Sequence, residues 1–292
     1  MGSKPRFTNV KTWKGSDGSS PKTLRLIGLS LLLSLLLVLL LGLYFTCAGR
    51  SGHSEPADST DPRLGAGAFG SEDFSGDAQG FAEAYIQAHG GRAVLGGIES
   101  IRMHGEIRTG GETLEFTILK KRPNRIRTSY TAGATRQTYG YGTDGAWSRL
   151  TVGGETIAQP ADAMPDTSYG GNAFFGELLD ACLRDPSQIE AIAKDNWQNR
   201  PCWRVDLAGG GGASGTSYFV AAESLLPLAS TVRGSGTGEA LTGFSDYRRA
   251  GALPLAHRVV TQGAEAETLL VIQTVTLNVG LPDSIFEPQS DK

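Results

Sequence analysis

The chain has 292 residues, of which 39% are hydrophobic and 20% charged, with a net charge of −3 and 40 glycines. That length holds one large or two small domains. The near-neutral charge balance supplies no basic face for nucleic acid, so no nucleic-acid partner is expected.

The apolar weight is unevenly spread. Residues 1–25 carry Lys4, Arg6, Lys11, Lys14, Lys22 and Arg25 against the acid Asp17, and the following stretch Leu26 to Cys47, LIGLSLLLSLLLVLLLGLYFTC, is uncharged. At a helical rise this stretch reaches ~33 Å, enough to cross a hydrocarbon core of ~30 Å. The apolar region of a cleaved signal peptide is shorter, about 7–15 residues, so 26–47 is expected to be an uncleaved transmembrane anchor. The basic tail 1–25 then stays in the cytoplasm and everything after Cys47 lies outside it. Tyr44 and Phe45 suit a membrane-interface belt better than a lipidation site at Cys47.

Residues 48–78 are rich in Gly, Ser, Asp and Pro and have no apolar period, which predicts a flexible linker. The folded domain is expected over 79–292. Its first segment, AQGFAEAYIQAHGG, sets Phe81, Ala84, Tyr85 and Ala88 at helical spacing, with Gly90-Gly91 as a stop and His89 in a capping position. A short turn, RAVLGGIES, follows.

From Ile101 the period changes to two. SIRMHGEIRTG, ETLEFTILKKRP, RIRTSYT, RQTYGYG and AWSRLTV read as strands joined by short polar turns, a meander. Phe174, Phe175, Leu178, Leu179 and Leu183 predict a helix ending near Asp185-Pro186, and Gln188 to Lys194 a further helical turn. β-structure resumes with RPCWRVDLAG, TSYFVAAE, LLPLASTVRGSG, ALTGFSDYRRAG, LPLAHRVVTQG and ETLLVIQTVTLNVG. The expected class is α+β: one large, curved antiparallel sheet of roughly ten or eleven strands, with covering helices and one N-terminal transmembrane helix.

Few residues suggest chemistry. His53, His89, His104 and His257 are scattered and the acids stand mostly singly at turns, so no catalytic constellation, metal site or cofactor is expected. The run Gly209–Gly212 lacks the Lys-Ser/Thr and following helix of a phosphate loop. Lys120, Lys121, Arg122, Arg125 and Arg127 surround one turn, either as protection of a hairpin edge or as a contact for an anionic headgroup or acidic partner. Outside the cytoplasm, Cys182 and Cys202 are either a disulfide or two inert buried thiols. Leu114, Phe116 and Ile118 share one face of the clearest strand, and Tyr218 and Val220 share a face of another. With Phe174 and Phe175 they form the candidate lipid-binding set.

Five segments taken in order, AHGGRAVLGGIESIRMHGEI, LEFTILKKRPNRIR, YGTDGAWSRL, DYRRAGALPLAHRV and LNVGLPDSIFEP, resemble the LolA/LolB-like superfamily of bacterial outer-membrane lipoprotein-sorting proteins. The resemblance covers about 78–290. It implies a half-barrel of antiparallel strands closed by helices around an apolar cavity. It also implies non-covalent binding of acyl chains, and no enzymatic activity. The expected function is a lipid- or lipoprotein-binding carrier tethered to the bacterial inner membrane and facing the periplasm, with lipid or an acylated protein as cargo. The alternative is an interaction or sensory module of the cell envelope with a protein partner. Two departures from the family pattern stand out. Its soluble carriers are released, whereas this chain keeps an anchor, and the insert at 170–194 matches no family residue.

Overall fold

A computed structural model describes residues 77–288, apart from 144, 159–173, 210–214, 234–240 and 264–265. The basic tail, the expected transmembrane span 26–47 and nearly all of the linker lie outside the described residues.

The domain begins with helix α1 (Ala78–Ala88), where the Asp77 carboxylate accepts from the Gln79 amide at 3.1 Å and satisfies one free donor of the first turn. His89 caps the other end, and its Nδ1–H donates to the Tyr85 carbonyl at 2.8 Å. Gly90 adopts φ +107°, which a side chain would resist, and leads directly into α2 (Gly91–Gly96). A third helix, α3 (Glu177–Arg184), stands between the two halves of the sheet in sequence.

Among the described residues, thirteen strands form a single open antiparallel sheet in the order β6-β5-β4-β3-β2-β1-β13-β12-β11-β10-β9-β8-β7. The first meander comprises β1 (Ser100–Thr109), β2 (Glu112–Lys121), β3 (Arg125–Ala132), β4 (Thr135–Gly142), β5 (Gly145–Val152) and β6 (Glu155–Ala158). The second comprises β7 (Ile189–Trp197), β8 (Arg200–Leu207), β9 (Thr216–Ala221), β10 (Pro227–Val232), β11 (Leu241–Ala250), β12 (Leu253–Gln262) and β13 (Glu267–Leu277). One runs outward from β1 to an edge, the other inward from the opposite edge to β13, and β1 pairs with β13 at the centre. The chain must therefore pass from edge to edge between β6 and β7, and α3 belongs to that crossing.

The sheet has two more strands than the eleven segments read from the sequence. β6 is four residues long, too short for its period to register. β7 replaces the helical turn expected at Gln188 to Lys194; only Pro186–Gln188 forms a 3-10 turn. EAIAK is a good helix former, but pairing with β8 from Ile189 to Trp197 outweighs a local preference of a few tenths of a kcal/mol per residue.

The helices pack on one face, here the inner face. Phe81, Tyr85 and Ile86 of α1, Leu95 of α2 and Leu178, Leu179 and Cys182 of α3 join Ile101, Trp203, Val205, Leu207, Val220 and Leu253 of the sheet in one buried cluster. On the outer face the C-terminal segment runs over β2–β5. Asn278 accepts from the Glu99 amide, Ser100 donates to the Val279 carbonyl, and Trp147 Nε1–H donates to the Phe286 carbonyl at 2.6 Å. Gly140 faces Trp147 across the β4–β5 ladder, and a Cβ there would overlap the indole.

Candidate functional site

Register shows which candidate residues share a face. Ile101 and Met103 pair with Lys120 and Ile118, and Gly105 and Ile107 pair with Phe116 and Leu114. Side chains alternate along a strand. Leu114, Phe116, Ile118 and Lys120 therefore lie on the same inner face as Ile101, which contacts the helices. Tyr218 and Val220 pair with Val205 and Trp203 and share that face from the other half of the sheet.

The seven candidate apolar residues fall into two groups. Val220 is part of the helix-packed cluster, and Tyr218, Phe174 and Phe175 pack against it. Leu114 and Phe116 are buried, and Ile118 half-buried, on the inner face outside that cluster. Phe116 is 1% exposed, and its ring edge rests on Gly105, where β13 bulges and no side chain fits.

The Phe174–Phe175 pair is held in place by the basic residues of the β2–β3 turn. The two rings meet edge-on at 4.9 Å, and the Arg122 guanidinium lies 4.7 Å from the Phe174 centroid and 5.5 Å from that of Phe175. Arg122 also donates to the carbonyls of Ile98 and Leu95 at the end of α2. Lys120 donates to the Phe174 carbonyl at 3.2 Å, and Asp180 accepts from the Phe175 amide at 3.3 Å. Burial pushes the Lys120 ammonium below its usual pKa, opposed by the Asp180 charge. Burial pushes the Asp180 carboxyl up, opposed by Arg184 and Lys120. Asp180 was missed in the sequence because an acid within LLDAC reads as a helix surface residue.

The rest of the basic cluster points the other way. Lys121 and Arg125 form ion pairs with Asp283, and Arg127 donates to the Ile285 carbonyl at 3.2 Å, all on the outer face. Five basic residues adjacent in sequence are thus divided between the crossing segment, α2 and the C-terminal segment, and each has a partner within the chain.

Cys182 and Cys202 are free and buried. Trp203, Val205 and Leu207 point into the helix-packed cluster, so Cys202 lies on the outer face, with the sheet between it and Cys182 on α3. The two thiols therefore stand apart in the structure. Burial raises Cys182 to about 12 and also raises Cys202. His257 is buried, and its Nδ1–H donates to the Ile272 carbonyl at 2.7 Å, while His104 bonds Thr117 on the outer face. Neither meets a catalytic partner among the described residues.

No family model and no curated protein sequence matches the chain. Solved structures do match. A LolA superfamily protein from Nitrosomonas europaea aligns at 11% identity over 71% of this chain and 97% of its own, with a TM-score of 0.51. A DUF1329 family protein from Desulfovibrio piger aligns at 13% identity over 72% and 95%, with a TM-score of 0.48. A putative outer membrane lipoprotein-sorting protein domain from Vibrio parahaemolyticus aligns at 10% identity over 71% and 95%, with a TM-score of 0.47. At this identity the likeness is one of fold: the chain has the fold of the LolA superfamily protein it aligns with.

Proposed function

We propose that the chain is a membrane-tethered, periplasm-facing module that binds lipid or the acyl chains of lipoproteins non-covalently and catalyses no reaction. One observation carries the reading. Helices α1, α2 and α3 cover a single face of a large open sheet, and the apolar stripe of that face continues past them through Leu114, Phe116 and Ile118. An apolar face between sheet and helices is the ordinary form of a lipid site. Each buried methylene contributes about 0.8 kcal/mol, so a partly enclosed chain is already a strong ligand. The anchor at 26–47 would keep the module at the inner membrane, where acylated cargo starts.

Ile118 is half-buried and lies between Met103 and Thr128 in the ladder, which makes it the position to test. With a protease site placed in 48–76 to release the domain after purification, Ile118→Glu should abolish binding of a fluorescent acyl probe while leaving the β-sheet circular dichroism intact. Unchanged probe binding by the folded variant would remove Ile118 from the site.

The second reading is an envelope protein-interaction module on the same fold. The close seating of Phe116 on Gly105 favours it, because a packed floor leaves less room for a chain. Failure of the wild-type domain to bind any acyl probe would favour this reading.

A further inference from the structure

The floor of the first meander carries a feature that an acyl chain alone does not explain. On β5, Ala146, Ser148 and Leu150 lie on the inner face, since Ser148 pairs with Tyr139, Tyr139 with Thr128, and Thr128 with Ile118. Ser148 is 9% exposed, and its hydroxyl has no hydrogen-bond partner among the described residues. Buried hydroxyls in folded proteins are nearly always paired, so this one points to a partner beyond the described residues.

The neighbours of Ser148 define that partner. Its row holds Tyr139 and Thr128, and the next row holds Gln137; all three are buried, and all are neutral groups able to donate and accept hydrogen bonds. Burial also pushes the Tyr139 hydroxyl well above its ordinary pKa, which marks a surrounding of low polarity. Lys120 is the one basic residue among the inner-face positions of β2–β5, three strands from Ser148, or about 14 Å across the sheet. Its ammonium is turned to the Phe174 carbonyl near Asp180. An anion beside Ser148 would lose its water and gain no cation. An uncharged hydroxyl or ester would lose less and could accept from, or donate to, Ser148.

We infer that the inner face of β2–β5 is a binding site for the neutral headgroup of a glyceride, with Ser148 hydrogen-bonding its hydroxyl or ester oxygen and Phe116, Ile118 and Leu150 beside its acyl chain. This rests on the lipid-binding reading above and adds a preference for uncharged over anionic amphiphiles.

The test uses the full chain in polymer nanodiscs and two photoreactive probes with the same diazirine acyl chain, a monoglyceride and an alkyl sulfonate. The monoglyceride should label peptides of β2–β5 at a roughly tenfold lower mole fraction than the sulfonate. Ser148→Ala should raise the monoglyceride's half-saturation several-fold and leave the sulfonate's unchanged, and Ser148→Thr, which keeps the hydroxyl, should retain the preference. Equal labelling of β2–β5 by both probes in the wild type overturns the inference and leaves the lipid-binding reading standing. Absence of inner-face labelling by either probe overturns both. The wild-type comparison needs no variant, so it decides the matter even if Ser148→Ala does not fold.

Discussion

Gly140→Ala tests whether the outer face is closed by the C-terminal segment as described. Gly140 pairs with Trp147, and a Cβ at position 140 would overlap the five-membered and six-membered rings of the indole. The ring cannot stay, because both partners are strand residues with fixed backbones. Moving it breaks the bond from Trp147 Nε1–H to the Phe286 carbonyl, and Phe286 is itself fully buried. Overpacking of this kind costs about 1–3 kcal/mol. The lost bond adds about 0.5–1.5 kcal/mol, and the gain from replacing a strand glycine returns about 0.5–1 kcal/mol. The net expectation is about 2 kcal/mol of destabilisation. With a urea m-value of about 2–3 kcal/mol/M for a domain of this size, the unfolding midpoint should fall by somewhat under 1 M. Hydrogen exchange should rise first at 281–287. Gly96→Ala is the control: nothing lies within 4 Å of its Cβ position, and it sits in a helix, so a small gain is expected. A Gly140→Ala midpoint equal to or above the wild type would refute the placement of Trp147 and of the segment it holds.

Three further outcomes follow from other elements. Burial lowers the His89 pKa to about 4 from an unfolded value near 6.5, so the fold prefers the neutral ring; its contribution is complete above pH 6.5 and is lost as pH falls toward 4, by up to about 3 kcal/mol. Urea midpoints measured across that window should fall, and His89→Gln should flatten the slope. Cys182 and Cys202 should resist iodoacetamide in the folded chain, react fully in urea, and form no intramolecular disulfide under mild oxidant, as read by mass. Asp283→Asn should speed exchange at 281–287 while barely moving the urea midpoint, because the ion pairs it loses to Lys121 and Arg125 are solvent-exposed at the carboxylate.

Much of the architecture was legible from period alone. β2 alternates Leu114, Phe116 and Ile118 with Glu115 and Thr117, and the Gly110-Gly111 turn after β1, with φ of +56° and +84°, is the hairpin connection that such a pair predicts. β7 was hidden because its residues favour a helix when read locally and become a strand only by pairing with β8. The basic cluster misled for a related reason. Lys120 and Lys121 are adjacent in sequence but face opposite sides of the sheet, so proximity in sequence did not make one patch. The two thiols could have been separated from the sequence, since Trp203, Val205 and Leu207 alternate with Cys202 and claim the core side. Ser148 had no such signal. A serine between Trp147 and Arg149 reads as surface, and only the ladder through Tyr139 and Thr128 places its hydroxyl on the buried face.

The central claim is that this domain holds lipid, and native mass spectrometry on the domain released from the purified full chain tests it most directly. The account predicts a population carrying one added mass in the lipid range, released as an identifiable lipid on collisional activation and absent from a co-expressed control domain. A single species at the mass of the bare polypeptide, from protein that also takes up no added lipid, would contradict it.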